Sequence, residues 1–272
     1  MKKLVNAQIL KNAPLTRDIY ELIFKSEYLA ETAKAGQFAG IYLESESKLL
    51  PRPFGFCQTD AKAGTVRIVY RVVGGGTKIL SQYPEGKTLR VLGPCGNGFT
   101  YSAQKRVVII GGGMGTPPLL KLAQDIKKAN SNAEINVFSG FQNAQQVILK
   151  SDFEKTGAKV YISTDDGSQG YMGNVISLIK NVLRHNPDGG SALPQSPEII
   201  FACGPKVMLK AVSGYADETA TPAQVSMEER MGCGVGACIC CVTKTNDGNG
   251  EAYKKVCAHG PVFSSKEVVW NG

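Results

Sequence analysis

Five of the chain's eight cysteines lie near its C-terminal end. Four fall in the run Met231-Gly232-Cys233-Gly234-Val235-Gly236-Ala237-Cys238-Ile239-Cys240-Cys241, and Cys257 follows. Cys233, Cys238 and Cys241 read C-x4-C-x2-C, with Cys257 after fifteen intervening residues. That order suits a [2Fe–2S] cluster, whose two irons need four thiolates and a tightly wrapped loop. Gly232, Gly234 and Gly236 would let the backbone approach the inorganic sulfides and aim N–H groups at them, where a Cβ would obstruct. The chemistry expected of such a centre is one-electron transfer.

Other readings of the thiols compete. Four-cysteine zinc sites also use C-x2-C, but they pair it with a second short spacing, and here Cys257 stands alone. A zinc-stabilised binding protein with purely structural glycine loops therefore stays open as a reading of another class. A disulfide framework fits a small secreted chain, whereas this one has 272 residues and its first eight turn polar too early for a signal peptide. Cys240 is the extra thiol, expected to point inward as a small hydrophobe. A Rieske centre needs two histidines, and His185 sits in a helical segment far from His259.

The elements that must position these residues fall into three segments. The length suggests two domains with a small appendage. Residues 1–102 read as short strands, Ile19–Phe24, Gln37–Leu43, Phe54–Gln58, Val66–Val73 and Thr88–Leu92, separated by turn clusters. In Val66–Val72 the apolar residues Val66, Ile68, Tyr70 and Val72 share one face and the arginines sit on the other, so only one fully buried face is expected. The pattern suggests a small antiparallel barrel. Residues 103–217 alternate strands (Val107–Ile110, Ile135–Ser139, Val160–Thr164, Ile199–Cys203) with helices (Pro117–Lys128, Ala144–Lys150, Asn174–His185, Lys206–Tyr215). Buried, non-alternating strands between helices mark a parallel α/β sheet. Asn186–Pro197 reads as a loop, and residues 218–272 form the cysteine-rich segment.

Composition excludes some functions. The net charge is +8, yet the basic residues are scattered singly or in pairs, such as Lys127-Lys128, without the stripe a nucleic-acid binder needs. No apolar run approaches membrane-spanning length. Free thiols and an oxygen-sensitive cluster point to the reducing cytoplasm.

Two glycine-rich turns could cradle phosphates. Gly111-Gly112-Gly113-Met114-Gly115-Thr116-Pro117-Pro118 joins a strand to a helix, where backbone N–H groups meet an anion. Cys203-Gly204-Pro205 follows the last strand of the same sheet, at the carboxyl edge where ligands of open α/β folds bind. In the barrel, Arg52-Pro53-Phe54-Gly55, Tyr70-Arg71 and Gly74-Gly75-Gly76-Thr77 before a short helix, Lys78–Gln82, offer two arginines near a helix start. Arginines on exposed strand faces would look the same, as would a tight turn without a ligand.

The order Arg-Pro, Tyr-Arg, Gly-Thr, Gly-Gly-x-Gly-x-x-Pro and Cys-Gly-Pro resembles the ferredoxin–NAD(P) reductase superfamily. With Cys-Gly-x-Gly-x-Cys-x-x-Cys and Val256-Cys257-Ala258-His259-Gly260-Pro261-Val262-Phe263, the chain closely resembles the electron-transfer subunits of NAD-linked dihydroorotate dehydrogenase B. The resemblance implies a flavin-binding barrel, a nicotinamide-binding α/β domain and an iron–sulfur segment. It implies FAD on Arg52, Pro53, Phe54, Gly55, Val69, Tyr70, Arg71, Gly76 and Thr77. NAD would lie on Gly112, Gly113, Gly115, Pro117, Cys203, Gly204 and Pro205, and the cluster on Cys233, Cys238, Cys241 and Cys257. The family usually has Ser or Thr where this chain has Gly55, so a backbone N–H, Thr59 or a water must replace that hydroxyl. Also implied is an FMN-containing catalytic subunit, in a heterotetramer of two catalytic and two electron-transfer subunits. Electrons from dihydroorotate would pass through the cluster and FAD to NAD⁺ in pyrimidine (UMP) biosynthesis. A reductase subunit for ferredoxin or a sulfur acceptor is the alternative, although such relatives carry the more compact Cys-Gly-x-Cys. Met231, Val235, Ala237, Ile239, Pro261, Val262 and Phe263 are expected to form an exposed apolar docking patch.

Overall fold

Strands at the start of the chain curl into one antiparallel sheet around an aromatic core. A computed structural model describes residues 1–185, 197–246, 248 and 250–270, so the expected loop Asn186–Pro197 lies outside them except for Pro197. The chain divides into two compact units: residues 1–99 with 227–262 and 267–272, and residues 100–226 with 263–266.

In the first unit the strands are β1 (Lys3–Pro14), β2 (Ile19–Lys25), β3 (Phe38–Tyr42), β4 (Arg52–Gly55), β5 (Gln58–Asp60), β6 (Thr65–Arg71) and β7 (Thr88–Cys95). They pair in the order β4-β3-β7-β1-β2-β6-β5, every pairing antiparallel. Leu22, Phe24, Ile41, Phe56, Ile68 and Tyr70 fill the interior, joined by Leu29 of helix α1 (Glu27–Thr32) and Leu80 of α2 (Gly75–Ser81). The Phe54 ring of edge strand β4 lies 5.5 Å from that of Tyr70 on β6, and Tyr20 stacks on Tyr70 at 5.7 Å. The expected antiparallel barrel is therefore present. β1 is not among the expected strands: its alternation is confined to Val5, Ala7 and Ile9, and only Ala7 and Ile9 of its twelve residues are buried. The expected strand Phe54–Gln58 breaks in two around buried Phe56 and Cys57.

The second face of β6 is less open than its arginines suggest. Val69 is buried there, and Glu21 accepts from Lys11 at 2.8 Å and from Arg67 at 2.5 Å across three adjacent strands. Burial alone would raise the Glu21 carboxyl, but the Lys11 hydrogen bond and the Arg67 charge outweigh it and lower its pKa.

The second unit is a sheet ordered β11-β10-β9-β8-β12-β13-β16, with the five pairings from β11 to β13 parallel. Its strands are β8 (Arg106–Gly112), β9 (Glu134–Phe141), β10 (Lys159–Thr164), β11 (Tyr171–Met172), β12 (Ile199–Cys203), β13 (Ala223–Ser226) and β16 (Val262–Ser264). Every residue of β12 is buried, as parallel strands covered on both faces require. Helices α3 (Thr116–Ala129), α4 (Lys150–Glu154), α5 (Val175–His185) and α6 (Lys206–Glu218) accompany the strands. Of the helix expected over Ala144–Lys150 only a single 3₁₀ turn forms, Ala144–Gln146. Buried Ile148 and Leu149 draw the chain inward, and Leu149 turns left-handed at φ 62° to start α4 instead. No described helix is long and apolar enough to cross a membrane.

Glu21→Gln leaves Arg67 facing a neutral group in a largely dry site. It should cost about 3 kcal/mol at neutral pH, as removal of one partner from a buried pair does. Because the folded carboxyl has a depressed pKa, its stabilisation is complete above the unfolded value. That stabilisation is lost as pH falls through the folded value. Denaturation curves recorded from neutral pH downward should show the wild type converging on the variant; a constant gap would mean the carboxylate charge contributes nothing.

Candidate functional site

A β-hairpin assembles half of the cysteine site. Strands β14 (Val242–Asn246) and β15 (Glu251–Lys255) pair antiparallel with Val242 opposite Lys255, and Val256 N donates to Cys241 O at 2.7 Å. Cys241 enters this hairpin and Cys257 leaves it, so the two fully buried residues stand side by side. Burial and the neighbouring Cys241 push the Cys257 thiol up to about 12, against a smaller lowering by the Lys2 charge.

The other half is the loop itself. The Cys233 sulfur accepts from Val235 N at 3.5 Å and Cys238 N at 3.4 Å. Burial pushes the Cys233 thiol up, but the backbone donors of Cys238 and Val235 outweigh it and bring it to about 6. Gly234 and Gly236 hold φ +71° and +86°, a backbone that side chains rarely adopt. A Cβ on Gly232 would stand 3.1 Å from the Cys238 sulfur.

The fold thus brings the cysteines together two and two, with Cys238 N on the Cys233 sulfur and the hairpin holding Cys241 beside Cys257. Among the described residues no three His, Cys, Asp or Glu side chains converge as a single-ion site requires. Two thiol pairs match a two-iron cluster, in which each iron takes two protein ligands, better than one tetrahedral zinc. Cys240 does not point inward: it is exposed, because the turn into β14 commits the inward position to Cys241. The His259 ring nitrogen Nδ1 accepts from Lys255 N at 3.0 Å and so closes the turn after β15. The exposed apolar residues shrink to Val235, Ala237 and Ile239, with Met231 and Val262 half-buried. Pro261 and Phe263, expected in the patch, are buried, Phe263 as part of β16.

In the barrel, the Arg52 guanidinium lies on the first turn of α2, where a Cβ at Gly76 would stand 2.5 Å from its Nε. Arg52 also donates to Leu50 O. Arg71 Nε faces Asp18 Oδ2 at 3.3 Å, while its Nη2 is buried without a hydrogen-bond partner. That orphaned donor is what an anionic ligand would satisfy. The Thr77 hydroxyl accepts from the N–H groups of Val73 (3.0 Å) and Gly74 (3.2 Å), and so holds the loop in front of α2. The Tyr70 ring is committed to the core and its hydroxyl donates to Asn12 Oδ1 at 2.9 Å, leaving its main chain for a ligand. Sequence reasoning missed Asn12 and Asp18. Asn12 further donates to Leu80 O and Tyr83 O, tying α2 to β1, and a lone polar residue in a strand gives no sign of that.

In the α/β unit the turns after β8 and β12 interlock. A Cβ on Gly115 would lie 2.3 Å from Cys203 O, and one on Gly112 would lie 2.9 Å from Pro205 Cδ. These glycines are required by the protein's own packing, with Gly204 facing Gly112 across the gap. Gly113, at φ +49°, has open space where its Cβ would be, so ligand access centres there. Pro117 and Pro118 remove two of the N–H groups that the start of α3 could offer, and Thr116 N is used by Gly113 O. Thr116 Oγ1 is buried without a partner.

Comparison with known proteins accords with this geometry. Residues 228–269 match the family "Iron-sulfur cluster binding domain of dihydroorotate dehydrogenase B", and residues 109–214 match "Oxidoreductase NAD-binding domain". A dihydroorotate dehydrogenase B (NAD(+)) electron transfer subunit from Geobacillus sp. (strain WCH70) is 37% identical over 273 residues, covering 99% of this chain and all of the relative. That of Geobacillus thermodenitrificans is 41% identical over 258 residues, 92% of each chain. Among solved structures, an NADH-dependent reduced ferredoxin–NADP oxidoreductase chain aligns at TM-score 0.84 and 28% identity over 97% of this chain and 90% of its own. A ferredoxin NADP⁺ reductase from Neisseria gonorrhoeae aligns at TM-score 0.66 and 17% identity over 80% of this chain and 92% of its own, a likeness of fold.

Replacing any of Cys233, Cys238, Cys241 or Cys257 by Ser should remove bound iron, and Cys240→Ala should retain it. Iron analysis of the purified variants decides. Iron kept in Cys241→Ser but lost from Cys240→Ala would transfer the ligand role. Arg52→Ala should weaken FAD binding by about 1.5–3 kcal/mol through loss of a charge-assisted bond. Flavin titration of the flavin-free protein reads this directly, and unchanged affinity would remove Arg52 from the site.

Proposed function

The chain belongs to the family of dihydroorotate dehydrogenase B (NAD(+)) electron transfer subunits, and from that premise we propose which residues carry its activity and how it is assembled. It is the subunit of an NAD-dependent oxidoreductase that conveys electrons from dihydroorotate oxidation to NAD⁺, in pyrimidine biosynthesis. Its cofactors are FAD, a [2Fe–2S] cluster and NAD. When bound, a flavin trades single electrons with an iron–sulfur cluster and hydride pairs with a nicotinamide, the conversion such a subunit needs. The observation that supports the assignment is geometric: the loop sets Cys238 N on the Cys233 sulfur at 3.4 Å, and the β14–β15 register brings Cys241 beside Cys257.

Each remaining role belongs to a residue in place. Cys233, Cys238, Cys241 and Cys257 hold the cluster, with the N–H groups of Val235 and Cys238 steadying the Cys233 sulfur. Arg52 and Arg71 neutralise the FAD diphosphate beside Gly76 and Thr77, and Asp18 keeps Arg71 oriented. Pro53, Phe54 and Gly55 on β4, with the main chain of Val69 and Tyr70 on β6, flank the flavin. Gly112, Gly113, Gly115 and Pro117 receive the NAD diphosphate, and Cys203, Gly204 and Pro205 bound the same edge of the sheet. The residue spans for these roles are 1–102 for FAD, 103–217 for NAD and 218–272 for the cluster.

A catalytic partner subunit is implied by membership of the family. We take it to carry FMN and to dock on the loop surface at Val235, Ala237 and Ile239, in an assembly of two catalytic and two electron-transfer subunits. Val235 is 48% exposed and Ile239 77%, beside ligands that are themselves buried or half-buried. The free thiols suit a reducing cytoplasm. Co-expression with the dihydroorotate-oxidising subunit should yield a complex that reduces NAD⁺ with dihydroorotate. In Val235→Glu that activity should fall at least tenfold, while NADH-driven reduction of a dye by the flavin persists. Dihydroorotate-independent transfer to ferredoxin, with no complex formed, would move the protein to the alternative acceptor.

A further inference from the structure

Two lysine ammonium groups grip the cysteine loop by its carbonyls. Lys2 Nζ donates to Cys257 O at 2.9 Å and lies 3.5 Å from Gly234 O, and Lys255 Nζ donates to Gly236 O at 2.7 Å. Both side chains are half-buried, and among the described residues neither is held in an ion pair. By contrast, neighbouring Lys254 and Lys244 are paired, with Glu267 at 3.1 Å and Glu251 at 2.6 Å. The two uncompensated positive charges are therefore directed at the loop. They bracket the ligand set: one touches the fourth ligand residue and the Gly234 side of the loop, the other its Gly236 side.

Four thiolates and two sulfides give the cluster a net negative charge, which becomes one unit more negative on reduction. Cations held nearby stabilise the reduced form more than the oxidised one, and hydrogen bonds and local charge are among the levers that set such potentials. We propose that Lys2 and Lys255 are positioning and tuning residues whose fixed positive charges raise the reduction potential of the [2Fe–2S] cluster. This rests on the cluster assignment above. The physical reason for two lysines acting through carbonyls is that the N–H donors of the loop are already spent on sulfur, as at Val235 and Cys238. Further favourable charge must then be brought in from outside the loop, by β15 for Lys255 and by the residue preceding β1 for Lys2.

Substitutions separate charge from tether. Glutamine retains an N–H that can reach the carbonyl but carries no charge; arginine keeps both. In the full-length holoprotein, Lys2→Gln and Lys255→Gln should each favour the oxidised cluster on the order of tenfold, a drop of about 59 mV for one electron. Lys2→Arg and Lys255→Arg should stay near the wild type. The measurement is an anaerobic redox titration followed by the electron paramagnetic resonance of the reduced cluster, with iron content and the flavin midpoint as internal controls. Unchanged cluster midpoints in both glutamine variants at full iron content would overturn the proposal and leave the lysines as mechanical clamps. Loss of iron from the glutamine variants, with retention in the arginine variants, would overturn it in favour of a role in assembly. If the wild type itself shows no [2Fe–2S] signal, the cluster assignment falls and the proposal falls with it.

Discussion

The pairing of Val242 with Lys255 governs the cysteine site. A hairpin register is discrete, and a slip of one residue turns every side chain to the opposite face. In the observed register Cys241 and Cys257 both leave the ladder at its open end, opposite the turn, and so stand beside one another. Thr243 and Thr245, inward on β14, are buried and hold the hairpin against the segment that follows. Asn246 N donates to Glu267 O and Val269 N to Lys244 O, locking the middle and the C-terminal end of β14. With one ligand pair fixed this way, the Cys233–Cys238 loop has a rigid edge to wrap around. The positive φ values of Gly234 and Gly236 supply the wrap, and the lysines secure it from outside.

The α/β unit solves a different problem with a similar economy of backbone. Its two glycine turns stand so close that Gly115 has Cys203 O where a side chain would be. Close packing there brings two strand ends together at the carboxyl edge of a parallel sheet, where backbone groups are left pointing outward. Thr116 and Ser139, buried with hydroxyl oxygens that lack partners, sit on strands or turns of this same edge. Gly111 lies opposite Ser139 in the ladder, and a Cβ on it would strike Thr116 Oγ1 at 2.6 Å. Polar groups left unsatisfied at a sheet's ligand-binding edge are tolerable when a ligand or ordered water completes them.

Much of this was legible in the residues. The C-x4-C-x2-C spacing marked the segment as an iron–sulfur region because a cluster loop has little freedom in length, and β8, β9, β10 and β12 emerged near their true bounds because buried parallel strands read as unbroken apolar runs. Strand β1 did not, since it buries two residues and spends the rest of its length at the surface. The helix expected over Ala144–Lys150 failed because burial of Ile148 and Leu149 overrode local propensity. Cys240 was assigned the wrong side for a related reason: adjacent cysteines share composition, and only the turn into β14 decides which faces in. Long-range partners such as Asn12 with Tyr70, or Lys2 with Cys257, leave no local trace at all.

Burial and exposure in the cysteine segment pull in opposite directions. Cys241 and Cys257 are fully buried on the hairpin, which shields half of the candidate ligand set from water. Cys233 and Cys238 are half-exposed, next to Val235 and Ile239, whose apolar side chains face solvent. A redox centre sealed entirely within its own chain would be protected but out of reach of a second subunit. One fully open would be reachable but wet, and its thiolates would be vulnerable to oxidation. An asymmetric placement meets both demands only if something covers the open side during turnover. Val235, Ala237 and Ile239 are suited to that, because an exposed apolar surface is stabilised by association whereas a charged rim there would have to be desolvated. The lysine contacts lie on main-chain carbonyls of the loop, so holding it in shape takes no side chain from the surface that a partner must cover.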